Sequence, residues 1–74
     1  MPNNQWQKKR YYFENGYGAS VIRTPTSLGG PEGYFELAVL KDGNITYDTA
    51  ITDDVIGWLT QEQVNELLKQ IEAL

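Results

Sequence analysis

Lys8-Lys9-Arg10-Tyr11-Tyr12-Phe13 is the segment whose residue types come closest to a chemistry, three cations running into three aromatic rings. Cations hold a phosphate backbone while rings stack on bases, so Lys8, Lys9, Arg10 and Tyr12 form a candidate strip for single-stranded nucleic acid. Tyr11 and Phe13 are assigned to the core below, which leaves Tyr12 and Trp6 as the rings free to stack. The acidic balance of the rest of the chain opposes this reading, because it repels phosphate from most of the surface. Nucleic acid is therefore the second choice of partner.

Asp48, Asp53 and Asp54, with Glu36 across a hairpin, are the acids that could gather around a hard cation such as Ca²⁺ or Mg²⁺. They lack the regular alternation of a calcium loop, and helix capping gives Asp53 and Asp54 a sufficient structural reason, so no metal is assigned. Gly16-Tyr17-Gly18 and Gly29-Gly30-Pro31-Glu32-Gly33 are not followed by Gly-Lys-Ser/Thr and read as turns, not phosphate cradles. The chain has no histidine and no cysteine, so Ser20, Ser27 and the threonines have no imidazole to activate them. The expectation is a protein that is not an enzyme, with no catalytic residues and no cofactor.

At 74 residues and with no cysteine, the chain is read as one small domain over 1–74, stabilised by packing alone to about 3–5 kcal/mol. Residues 1–7 read as an arm pinned by Trp6. The polar, basic N-terminus has no apolar h-region, and the longest near-continuous apolar run, 37–40, is too short to cross a bilayer. No membrane partner is expected, and the lack of cysteine fits a cytoplasmic setting. The net charge of −4 is unevenly placed: residues 1–24 carry Lys8, Lys9, Arg10 and Arg23 against Glu14, while residues 25–74 hold nine acids against Lys41 and Lys69. Such asymmetry can steer a charged partner or favour head-to-tail self-association, although plain solvation also accounts for it.

The elements that must position these residues are legible from turns and periodicity. Residues 9–14 and 17–24 flank Asn15-Gly16, a strong hairpin signal. A three-residue loop, Glu14-Asn15-Gly16, pairs Tyr11 with Ala19 and gathers Tyr11, Phe13, Tyr17, Ala19 and Val21 on one face, with Gly16 at positive φ in a bulged turn. The same reasoning joins 34–40 to 44–49. A three-residue loop Lys41-Asp42-Gly43 pairs Val39 with Ile45 and Leu37 with Tyr47, whereas a two-residue loop would set Leu37 against Asp48. The longer loop is preferred; it sets Ile45 and Tyr47 in the core, leaves Leu40 on the other face and brings Glu36 near Asp48.

Residues 25–33, with two prolines and three glycines, form a loop. Thr52-Asp53-Asp54 is read as capping a short helical turn that Gly57 ends. Thr60-x-x-Gln63 is a capping box with Leu59 and Val64 at the staple positions, and Val64, Leu67, Leu68, Ile71 and Leu74 form one apolar stripe. The expected architecture is α+β: two β-hairpins forming a four-stranded antiparallel sheet, packed by one C-terminal α-helix.

Three stretches also carry a resemblance. Phe13-Glu-Asn-Gly-Tyr-Gly-Ala-Ser-Val21, Gly30-Pro-Glu-Gly-Tyr-Phe-Glu-Leu-Ala-Val-Leu40 and Ile45-Thr-Tyr-Asp-Thr-Ala-Ile-Thr-Asp-Asp-Val-Ile-Gly57 resemble a group of small bacteriophage and prophage proteins of unknown function. The resemblance implies a viral accessory product in the cytoplasm of a bacterial host and brings no catalytic residues. Small phage proteins often act by binding a host protein. The functional expectation is accordingly a non-enzymatic binding protein with a protein partner, a host protein or a second copy as a homodimer. Its candidate contact residues are the large side chains expected to be exposed, Trp6, Tyr12, Leu28, Tyr34, Leu40 and Trp58; each also reads as a peripheral core residue, and for Trp58 the core reading is preferred.

Overall fold

The computed structural model describes residues 6–52 and 54–74. Residues 1–5 of the expected arm and Asp53 of the acidic cluster lie outside the described residues. The fold is α+β, an antiparallel sheet covered on one face by a C-terminal helix. Its strands are β1 (Gln7–Tyr12), β2 (Tyr17–Arg23), β3 (Phe35–Lys41), β4 (Asn44–Ile45) and β5 (Ile56–Leu59), followed by α1 (Gln61–Glu72). β1, β2 and β3 lie side by side, and the far edge of β3 is shared, with β4 on its C-terminal end and β5 on its N-terminal half.

The first hairpin has the expected register. Tyr11 opposes Ala19, the Phe13 N–H donates to the Tyr17 carbonyl at 2.8 Å, and Gly16 sits at φ +87°. A left-handed residue at the end of a three-residue loop matches the twist of the strands, and glycine adopts it without steric cost.

The second hairpin departs from expectation. Leu40 opposes Ile45 and Lys41 opposes Asn44, so the loop is the two-residue Asp42-Gly43, with both residues left-handed at φ +52° and +86°. Pairing with β2 explains the choice. Tyr17 opposes Lys41, the Lys41 ammonium lies 4.3 Å from the Tyr17 ring centre, and the Asp42 N–H donates to the Gly16 carbonyl at 2.8 Å. β3 is thereby held straight through Lys41 and can turn only afterwards. In this register a continuing β4 would bring Asp48 opposite Leu37, which is fully buried, so the strand stops after Ile45. The vacated edge of β3 is taken by β5, which sets Ile56 opposite Leu37 and Leu59 opposite Phe35. Residues 56–59 are therefore extended, not the end of a helical turn, and Ile45 and Tyr47 are exposed instead of joining the core.

The core lies between sheet and helix: Ala19, Val21, Phe35, Leu37, Val39 and Leu59 meet Val64 and Ile71, with Tyr11, Phe13, Tyr17 and Leu67 packed around them. Each large side chain so buried contributes about 1.5–3 kcal/mol. The helix begins at the expected capping box, with the Gln63 N–H donating to Thr60 Oγ1 at 3.2 Å and the Thr60 N–H to Gln63 Oε1 at 2.8 Å. Its other end has no glycine; Asn15, in the first hairpin turn, caps it from a distance. Asn15 Nδ2 donates to the carbonyls of Ile71 and Glu72 at 3.0 Å, while its Oδ1 accepts from the Tyr17 N–H at 2.9 Å. One side chain thus closes the turn and ties it to α1. Leu74, expected in the stripe, falls beyond the helix and is exposed.

Candidate functional site

Directly opposed residues share a face, so the pairing fixes what the sheet shows on the side away from α1. One row across that face is Tyr12, Gly18, Leu40 and Ile45; the next is Arg10, Ser20 and Ala38; the third is Lys8, Ile22 and Glu36. Tyr12 is 65% exposed and Ile45 48%, whereas Leu40 between them is at 0%. Leu40 was expected as a contact residue and is corrected to a buried one. It is paired with Gly18 on one side and Ile45 on the other, and Arg10 reaches the hairpin turn that follows it, its Nη1 donating to the Gly43 carbonyl at 3.4 Å.

At the β5 side of this face, three of the expected contact residues come together. The Glu36 carboxylate accepts from the Leu28 N–H at 2.8 Å and pins the loop to the sheet. The Leu28 carbonyl then accepts from the Trp58 N–H at 3.2 Å, and the Trp58 and Tyr34 rings meet at a centroid distance of 5.7 Å. Leu28, Tyr34 and Trp58 are all exposed. Two glycines make the seat. A Cβ on Gly57 would lie 2.3 Å from that of Leu28, and one on Gly29 would lie 2.9 Å from Tyr34 Cβ and 3.0 Å from the Trp58 indole.

Trp58 itself stands at φ +58°. β5 has one more residue than β3 between the Phe35–Leu59 and Leu37–Ile56 pairs, and the extra residue falls at Gly57-Trp58. Such a bulge re-aims a side chain. Here the left-handed residue is the tryptophan and not its glycine neighbour, and the indole is 57% exposed.

The basic strip is divided between the two faces. Lys8, Arg10 and Tyr12 lie on the helix-free face, whereas Lys9 opposes the core residue Val21 and its ammonium sits 5.0 Å from the Tyr11 ring. Half-buried Trp6 stays with Lys8, and with Gln7, Ile22, Thr24, Pro25 and Thr26 they line an open hollow of about 480 Å³. Trp6 and Tyr12 therefore do not join the Leu28, Tyr34 and Trp58 cluster.

The acidic residues do not converge. Glu36 turns to Leu28, the Asp54 carboxylate accepts from the Val55 N–H at 2.7 Å, and no three acids gather among the described residues. The expected approach of Glu36 to Asp48 is lost with the register that produced it. No described helix is long and apolar enough to cross a membrane.

Sequence reasoning missed Ile45 as an exposed residue and Gly29 and Gly57 as the seat of the aromatic cluster. Asp42-Gly43 read as a two-residue turn is the signal that would have found Ile45. Compared with known protein families, with curated proteins and with solved structures, the chain matches none.

Proposed function

We propose that this chain is a non-enzymatic binding protein that docks on a protein partner through Leu28, Tyr34 and Trp58. The partner is a host protein in the bacterial cytoplasm where a phage or prophage product would act, or a second copy of the chain. One observation carries the reading: an exposed tryptophan occupies a left-handed backbone position that costs a non-glycine residue about 1–2 kcal/mol. With the indole 57% exposed, folding gains less from it than from a core ring. Strained backbone positions cluster at binding sites, and tryptophan and tyrosine are enriched among interface anchors.

The test is affinity capture by the tagged protein from bacterial lysate after nuclease treatment, together with sedimentation of the purified chain. A stoichiometric protein partner, or a dimer, is expected with the wild type and lost with Trp58→Gly and with Tyr34→Ala while both variants keep the native circular dichroism. Retention of the same complex by both variants would overturn this assignment of the surface. A wild type that captures nothing and sediments as a monomer would overturn the function itself.

A further inference from the structure

We propose that the β1 side of the helix-free face is a second site, a strip that binds single-stranded nucleic acid and stands apart from the Leu28, Tyr34 and Trp58 cluster. Alternation along β1 puts Lys8, Arg10 and Tyr12 on one face and Lys9 and Tyr11 on the other, and Trp6 extends the first set through the hollow it shares with Lys8. At about 3.3 Å per residue the strip from Trp6 to Tyr12 runs about 20 Å, a ring at each end and two cations between them. Rings and cations on one strip supply the stacking and the phosphate contacts that a single strand takes.

Three further observations select this occupant. The hollow beside Trp6, at about 480 Å³, is large enough to take a nucleobase, and its walls mix an indole and Ile22 with the polar Thr24 and Thr26. The paired positions of β1 and β2 on this face, Lys8, Arg10, Tyr12, Gly18, Ser20 and Ile22, include no carboxylate. The nearest acid in the third strand, Glu36, is engaged by the Leu28 N–H. Glu62, Glu66 and Glu72 belong to α1, across the sheet, so the paired β1 and β2 positions of this face carry positive charge only, although the chain is at −4. Arg10 reaches the Gly43 carbonyl through one nitrogen, and a guanidinium has five N–H donors to offer. An acidic polypeptide would satisfy the two cations but give the rings nothing to stack on.

The experiment uses the full chain and a fluorescein-labelled oligothymidylate of about 12 nucleotides, followed by anisotropy. Two phosphate contacts predict an affinity that falls about sevenfold between about 50 and about 200 mM salt. Lys8→Glu with Arg10→Glu should abolish binding, and Tyr12→Ala should weaken it about fivefold or more, since the exposed ring is replaced without disturbing the core. In a Trp58→Phe background the remaining Trp6 fluorescence should be quenched by the unlabelled oligomer. Trp58→Gly should bind as the wild type does, which separates this site from the protein-binding cluster. The proposal is overturned by absence of binding at the lower salt, by unchanged affinity in the charge-reversed or Tyr12→Ala variant, or by unquenched Trp6. Displacement of the oligomer by polyglutamate as readily as by unlabelled oligothymidylate would overturn it in favour of an acidic protein ligand.

Discussion

Two residues carry more than their local sequence discloses. Trp58 was legible as a large side chain near a helix start, but its left-handed backbone follows from a bulge that exists only because β5 replaces β4 on the edge of β3. Relief of about 1–2 kcal/mol of strain offsets loss of the ring contact to Tyr34, itself about 0.5–1.5 kcal/mol. Trp58→Gly should therefore leave stability within about 1 kcal/mol of the wild type by urea denaturation, whereas a core tryptophan truncated so far would cost about 3–5 kcal/mol. A loss of core size would make Trp58 a structural residue and remove the main support for the protein-binding reading. Asn15 was legible only as a turn residue; nothing local reveals that its amide meets the last carbonyls of α1. Asn15→Ala should cost about 1–2 kcal/mol. Asn15→Asp keeps an acceptor for the Tyr17 N–H but places negative charge against the Ile71 and Glu72 carbonyls at the negative end of the helix dipole. It should be the less stable of the two at neutral pH, and an Asn15→Asp variant more stable than Asn15→Ala would show that the bond to the Tyr17 N–H outweighs the contact with the helix end.

At the scale of elements, the register of the first hairpin and the start and buried face of the helix were legible because each is specified by neighbours in sequence: Asn15-Gly16 for one, Thr60 with Gln63 and the apolar stripe for the other. The second hairpin was not. Its two candidate registers differ by which side chains face the core, and maximising apolar pairing within the hairpin favoured Val39 against Ile45. The deciding contact was non-local, the pairing of Lys41 with Tyr17 on the opposite edge of β3. Once that pairing fixes the two-residue turn, the misfit of Asp48 against Leu37 ends β4 and opens the edge to Ile56 and Leu59. The two registers make opposite predictions about Ile45. Ile45→Ala should cost less than about 1 kcal/mol, because the side chain is about half exposed, while Leu59→Ala should cost about 2–5 kcal/mol. Chemical denaturation of the pair is decisive: a loss at Ile45 equal to that at Leu59 would restore the longer loop and its four-stranded sheet.

The candidate faces belong to the whole molecule, since no single element contains them. Burying one side of the sheet under α1 leaves the other to collect what β1, the loop and β5 do not commit to the core, and most of the expected contact residues were legible as large side chains outside the apolar pattern. Their grouping was not, because it depends on which strand neighbours β3. Among the described residues the same architecture leaves two open sheet edges, β1 on one side and β4 with β5 on the other. β5 is short and interrupted by its bulge, and the longer β1 carries Lys8, Lys9 and Arg10 in succession. Charged side chains on an edge strand keep it from pairing with a second copy, because two such edges in antiparallel contact would bring like charges together. Self-association of this chain should therefore run through the Leu28, Tyr34 and Trp58 cluster and not by extending the sheet. Replacing the three cations by threonine keeps the β propensity of the strand and removes the repulsion. The Lys8→Thr, Lys9→Thr, Arg10→Thr variant should sediment as larger species whose size grows with concentration, and adding Trp58→Gly should not reverse this. If the triple variant sediments as the wild type does at every concentration, the charges on β1 are not what keeps that edge closed, and the place of Lys8 and Arg10 on the strand is left to the nucleic-acid strip alone.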